Sequence, residues 1–205
     1  MEKVMSKKRK VFLAVAAIII AVLLVAICCI ASINPPKDGI TDKICPAEFF
    51  CEEKGNHIDF QSKDNCAAYA TAYVLRELGE NTNGEEVAKE IKRFFGFVPA
   101  RSIVEVFKNH GYTAKAYCGN TETLKQRFIC GAPIIVFISV FRDTHYAVVV
   151  GYNEEYFYLA DSLAENMNVE AGRYNRKITT EEFEDIWKTN TVLSDNIYIC
   201  LDLNP

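Results

Sequence analysis

Residues 11–31 of this 205-residue chain read VFLAVAAIIIAVLLVAICCIA, twenty-one consecutive positions without a charge. At about 1.5 Å of rise per helical residue, such a run reaches across a hydrocarbon core of about 30 Å. A helix apolar on every face has no place on a watery surface. A transmembrane helix over residues 11–33 is therefore expected, and the rest must fold without it. Lys7, Lys8, Arg9 and Lys10 stand directly before the run, in a basic segment covering residues 1–10. By the positive-inside rule they hold the N-terminus in the cytoplasm and send the C-terminal part across the membrane. A cleaved secretory signal shares the basic start, and Ala31 would end a weak small-residue cleavage site. Signal cores run to only about 7 to 15 apolar residues, so an uncleaved anchor is the expectation. Both readings export the domain. Cys28 and Cys29 follow Ile27 rather than a small residue, so they read as lipid-facing apolar positions and not as a lipidation site.

Asn34, Pro35, Pro36, Lys37, Asp38 and Gly39 break the helix and open a linker and N-terminal extension over residues 34–57. The 171 residues from 35 onward suit one domain, since a chain of that length buries roughly 70% of its unfolded surface. Residues 1–34 hold five basic side chains against one acidic, so the remainder carries a formal −8 of the chain's −4. That sign repels phosphate backbones, and no basic stripe with interleaved aromatics offsets it; nucleic acid is not an expected partner.

Along the exported part, Asp64 and Asn65 read as caps of a helix from Cys66 to Leu78, stopped by Gly79. Asn83 opens a second helix over residues 84–95. Residues 99–110 form a third, stopped by Gly111, and Asn120 or Thr121 starts a fourth that ends near Cys130. The pattern then turns to strands at residues 134–140, 145–152, 155–160 and 196–201, rich in β-branched and aromatic side chains, with a helix over residues 180–188 before the last. Helices first and an antiparallel sheet afterwards make an α+β domain.

Six cysteines lie beyond the apolar run: Cys45, Cys51, Cys66, Cys118, Cys130 and Cys200. Cys45 and Cys51 are near enough in sequence to bridge a short loop, with buried thiols as the alternative. Neither CxxC pairs nor an HExxH segment nor a glycine-rich phosphate loop occurs, so metal and cofactor sites are not expected. Glu85-Glu86 and Glu181-Glu182 fall in first helical turns, where acids suit the dipole.

Cys66 carries the chemistry. At the first turn of a helix the dipole and unpaired amides favour an anionic sulfur, although a lone cysteine there is more often a small buried hydrophobe. Gln61, five residues earlier, is near enough to turn its amide toward the carbonyl under attack and, with the Cys66 amide, to form an oxyanion hole. His145 opens an apolar strand, and Asp161 ends the next; in a hairpin the two lie on one side, so the carboxylate would orient the imidazole. His110, beside Gly111, reads as a helix-terminal partner. His57, in an irregular segment, is a weaker competitor for the base.

The order Gln61, Cys66, His145, Asp161, the phrase FQSKDNCAAYATAYVL, the strand pair THYAVVVGYNEEYFYLADS and the late TTEEFEDIWK resemble papain-like cysteine peptidases of the bacteriocin-processing, double-glycine peptidase-like family. The likeness covers residues 58–201, within a domain taken as 58–205. It implies a papain-like fold with N-terminal helices packed on an antiparallel sheet. It also implies Cys66 as nucleophile, His145 as base and then acid, Asp161 as orienting carboxylate, Gln61 as oxyanion donor, and Phe183 with Trp187 as a packing pair. Where the family commonly has Gly after the nucleophile and Pro after the aspartate, Ala67 and Ser162 stand here. The expected activity is that of a membrane-anchored, extracytoplasmic cysteine peptidase acting on a peptide or protein substrate. Acyl transfer or amide hydrolysis by the same triad, and an inactive binding domain of the same fold, are the alternatives. Oligomeric state is not legible.

Overall fold

The computed structural model of the chain describes residues 7–40, 44–52, 55–62, 64–141, 143–189, 191 and 194–202, apart from the side chains of residues 7, 10 and 26–33. The first six residues of the basic segment, and the side chains of Lys7, Lys10, Cys28 and Cys29, lie outside that set. The chain forms two compact units, residues 1–34 and 35–205. The first is α1, Lys7–Ile33, a continuous helix of 27 residues. Its large apolar side chains from Val11 to Val25 are exposed. Among the described residues no helix is long and apolar enough to cross a membrane. The apolar stretch with described side chains, residues 11–25, spans about 22 Å of the roughly 30 Å required.

In the second unit a seven-stranded sheet runs in the order β2-β7-β3-β4-β5-β6, with β1 added to β4. The strands are β1 (Phe49–Phe50), β2 (Ala114–Cys118), β3 (Ile134–Val140), β4 (Asp143–Tyr152), β5 (Tyr156–Ala160), β6 (Arg176–Thr179) and β7 (Ile197–Leu201), and all their pairings are antiparallel. The helices are α2 (Cys66–Glu77), α3 (Gly84–Glu90), α4 (Ala100–Asn109), α5 (Thr121–Phe128) and α6 (Thr180–Trp187). Alternation along β3 explains the layers. Ile135 and Phe137 join the apolar cluster of α2, α3 and α4, whereas Ile134, Val136 and Ile138 join that of α5 and α6. A sheet covered on both faces needs strands apolar at every position, which is why β3 reads as an unbroken hydrophobic run. The helices thus divide between two faces rather than all packing on one.

The central helix, α2, is buried from Ala67 to Leu75, and its run of small residues lets the backbone approach the sheet closely. On the other face Phe183 packs against Trp187 with ring centroids 5.0 Å apart. Four sequence expectations are corrected here. The helix expected over residues 84–95 stops at Glu90, because Ile91 turns extended and Phe94 and Phe97 exchange backbone hydrogen bonds across a tight reversal. Phe95 and Gly96 sit there at positive φ, a conformation incompatible with helix. β2 lies inside the half expected to be mainly helical, and β6 was not anticipated. Cys45 and Cys51 do not form a disulfide: all six described cysteines are thiols, with Cys51 buried in the core.

Within residues 35–40, read as linker, Lys37 bridges Cys118 at the end of β2. Cys118 donates its amide to Pro36 and accepts from Asp38, while the Asp38 carboxylate takes both arms of Arg127, at 2.7 and 2.8 Å, and the Tyr198 hydroxyl. The outer edge of β2 is covered in this way at its last residue, Cys118.

Candidate active site

Cys66 is the first residue of α2, and the N-cap residue Asn65 makes no side-chain cap to the helix's leading amides. Asn65, expected to cap, is engaged elsewhere: its Nδ2 donates to the Ser62 carbonyl at 3.1 Å, and its Oδ1 accepts from Arg93 at 2.6 Å. Arg93 also donates to the Asp64 carbonyl at 2.7 Å, so the turn that presents Cys66 is held from outside the helix. Among the described residues the first amides of α2 have no side-chain cap beside the half-buried Cys66.

His145 lies on β4 opposite Ile138 and is buried. Its Nε2–H donates to Asp161 Oδ1 at 2.6 Å, which leaves the other ring nitrogen for Cys66. Burial alone would lower the imidazole's proton affinity. The Asp161 bond, the Cys66 hydrogen bond and the two partners' charges outweigh it, and the His145 pKa is pushed up to about 9. That raised affinity suits the ring to take a proton from Cys66 and hold it.

Asp161 follows β5 and is completely buried. Desolvation opposes its charge, but the bonds from His145, the Leu163 amide and Asn166 overcome that and hold the carboxyl below its ordinary range. Oδ1 accepts from His145 and from the Leu163 amide at 2.9 Å; Oδ2 accepts from Asn166 Nδ2 at 2.9 Å and Arg176 Nη1 at 3.0 Å. Asn175 closes on the main chain of the same residue, accepting from the Asp161 amide and donating to its carbonyl, both at 2.8 Å. A buried carboxylate with all its acceptor sites filled escapes most of the penalty of leaving water. Asn166, Asn175 and Arg176 were not anticipated from sequence, because they reach Asp161 only when residues 162–175 loop back to β6.

Gln61 lies in the irregular approach to α2. Its amide donates to the Ser162 carbonyl at 2.8 Å, and its Oε1 accepts from the Ser162 hydroxyl at 3.1 Å. Arg76 of α2 steadies the approach by donating to Asn56, Asp59 and the His57 carbonyl at 2.8 to 3.1 Å.

Gln61, Cys66 and His145 line one open cleft of about 560 Å³, the size of pockets that take a drug-sized ligand. Phe97, Val98, Phe137 and Phe141 supply apolar walls, and Asp64 and Asp143 supply negative charge. Phe141 stands 90% exposed at the rim with φ 51°. The other two histidines do not line this cleft. His57 pairs with Asp59 at 3.1 Å on the surface, and His110, at the C-terminus of α4, bridges Glu80 and Glu90 at 2.8 and 3.0 Å. Among the described residues no group of His, Cys, Asp and Glu side chains is placed to hold a metal ion. Away from the cleft, burial pushes the Cys200 thiol up to about 12 and raises Cys118 as well, which suits inert core positions.

Residues 54–196 match the sequence profile of the peptidase C39 family. The chain shares its fold with the peptidase domain of Streptococcus ComA, described as a bi-functional ABC transporter involved in a quorum sensing pathway: TM-score 0.58, 20% identity, covering 72% of this chain and 97% of that one. It also resembles a double glycine motif protease from an AMS/PCAT transporter, solved with its leader peptide, at TM-score 0.55 and 21% identity over 75% of this chain and 97% of the other. Xylellain, a cysteine protease from Xylella fastidiosa, aligns at TM-score 0.51 and 12% identity over 83% and 96%. No curated protein sequence matches the chain.

Proposed function

The chain belongs to the peptidase C39 family and is a cysteine-type peptidase, and from that premise we propose that it hydrolyses peptide bonds through Cys66, His145 and Asp161 with Gln61 as oxyanion donor. The observation that carries this reading is the buried His145–Asp161 pair, 2.6 Å apart, with the Cys66 sulfur against the same imidazole on an open cleft.

Cys66 gives its proton to His145, and the sulfur attacks the carbonyl carbon of the substrate peptide. The carbonyl π electrons move to oxygen, where the Gln61 amide and the Cys66 backbone N–H receive the charge. As the intermediate collapses, the C–N bond breaks and the imidazolium protonates the departing amine. Water then attacks the thioester, giving its proton to His145. The C–S bond breaks, the acid product leaves, and the proton returns to sulfur. Asp161 stays ionised throughout, holding the Nε2 side of the ring so that the other nitrogen meets the sulfur.

We also infer that α1 anchors the enzyme in a membrane with its basic end in the cytoplasm and the peptidase domain outside. Support comes from the continuous helix Lys7–Ile33, the exposed apolar side chains along it, and the cationic cluster at its start. Alkaline extraction of membranes from expressing cells tests this. Retention in the pellet, with the domain open to external protease, is expected; release into the supernatant would remove the anchor. For the chemistry, Cys66→Ala in the full chain is expected to abolish peptide hydrolysis while leaving the melting temperature within a few degrees of wild type. Near-normal turnover would overturn the mechanism.

A further inference from the structure

Gln61 Oε1 accepts a hydrogen bond from the hydroxyl of Ser162, the residue directly after the orienting carboxylate. A side-chain amide has two ends of opposite character, a donor –NH₂ and an acceptor oxygen. Only the donor end stabilises a developing oxyanion; rotated by half a turn, the same side chain presents a lone pair and repels it. Gln61 lies within the irregular segment between β1 and α2, and its side chain has three torsions with which to lose the productive orientation. Something must fix both its place and its sense.

We propose that Ser162 is the positioning residue for the oxyanion donor, its hydroxyl proton turning the Gln61 amide so that Nε2 faces the thiol. The tether has two points. The Gln61 backbone amide donates to the Ser162 carbonyl at 2.8 Å, which sets the position of the residue, and the hydroxyl bond at 3.1 Å sets the sense of the amide. Among the described residues Nε2 donates to no protein acceptor and Gln61 lines the cleft, so the donor end is available to a substrate oxygen. Ser162 is itself buried and follows Asp161, whose amide and carbonyl are clamped by Asn175 and whose carboxylate takes four donors. The tether inherits that rigidity. The dipeptide Asp161-Ser162 then serves both ends of the reaction: its carboxylate aims the imidazole, and its hydroxyl aims the amide.

This inference rests on the cysteine-peptidase reading of the site, and three readouts on the full chain in detergent separate the two. Iodoacetamide alkylates the sulfur by displacement at carbon and forms no oxyanion. A peptide aldehyde forms a tetrahedral adduct whose oxygen occupies the hole. Hydrolysis of a peptide drawn from a proteome-derived mixture uses both. Ser162→Ala is expected to lower kcat about tenfold and to weaken aldehyde inhibition in parallel, short of the loss of about 100-fold expected for Gln61→Ala. KM and the Cys66 alkylation rate stay at wild-type values. The double variant falls no further than Gln61→Ala alone, because the hydroxyl acts only through the amide. Ser162→Thr, which keeps the hydroxyl, recovers hydrolysis and aldehyde affinity, and so separates the tether from any general loosening. Wild-type kcat in Ser162→Ala, fully additive losses in the double variant, or alkylation slowed in step with hydrolysis would each overturn the role. If the wild-type chain alkylates like an ordinary thiol and cleaves no peptide, the catalytic assignment of the site falls, and this inference falls with it.

Discussion

The two halves of the site are built by opposite means. On the acid–base side, His145 and Asp161 are almost completely buried, and every acceptor position of the carboxylate is filled by side chains and amides from residues 145–176. On the nucleophile side, Cys66 and Gln61 are partly exposed, and they are placed by the start of α2, the Ser162 tether and the Arg93 brace on the preceding turn. The difference follows from what each must do. A proton carrier needs a fixed ring and a stable counter-charge, which a dry and saturated pocket supplies. A nucleophile and an oxyanion hole must meet a substrate, so they cannot be sealed. Changes on the buried side should therefore damage stability and activity together, whereas changes on the open side should damage activity alone.

The largest effect that sharpens this contrast is His145→Ala, with hydrolysis falling about 10²- to 10⁴-fold, the range for loss of a general acid–base, as measured by kcat/KM on a cleaved peptide. Asp161→Asn should lower activity by a similar order and also destabilise the fold. It leaves Arg176 facing a neutral amide in a buried setting, and losing one partner of a buried pair costs about 3 to 5 kcal/mol; urea unfolding reads this. Arg176→Met should destabilise the fold measurably while preserving more activity than either, because Asn166 and the Leu163 amide still hold the carboxylate. An Arg176→Met chain as stable as wild type would break the comparison.

The pH dependence is the subtlest expected effect. The His145 pKa is raised from about 6.5 to about 9, so its stabilising contribution is fully present below the unfolded value and is lost as pH rises through about 9. Asp161 is depressed, so its contribution is present above the ordinary carboxylate value of about 3.9 and is lost as pH falls through its lower folded value. Stability should fall on both flanks, and Asp161→Asn should flatten the alkaline flank by removing the bond that raises His145. Unfolding free energies across that range for both chains provide the check.

Much of this was legible in the residues, and the remainder was hidden for identifiable reasons. The strands β3, β4, β5 and β7 announce themselves as dense β-branched and aromatic runs. Cys66, His145 and Asp161 stand out through their positions at or near element ends, and Gln61 through its interval of five residues before Cys66. The short β2, AKAYC, has only alternation to mark it, and β6, RKIT, is mostly polar. The helix that stops at Glu90 misleads because KEIKRFF keeps helical spacing, while Gly96 at positive φ marks the reversal. Asn166, Asn175, Arg176 and Ser162 carry no local signal. Their roles arise from a loop closing on Asp161, a tertiary event that no periodicity encodes. Cys45 and Cys51 show the converse, since proximity in sequence did not bring the two sulfurs into a bond.

The most direct test of the central claim is the rate of Cys66 alkylation in the full chain as a function of pH, read by intact mass and peptide mapping, beside His145→Ala. Rapid labelling at neutral pH is expected in the wild-type chain, and its loss at that pH in His145→Ala. Slow labelling that follows an ordinary thiol in both chains would contradict the account.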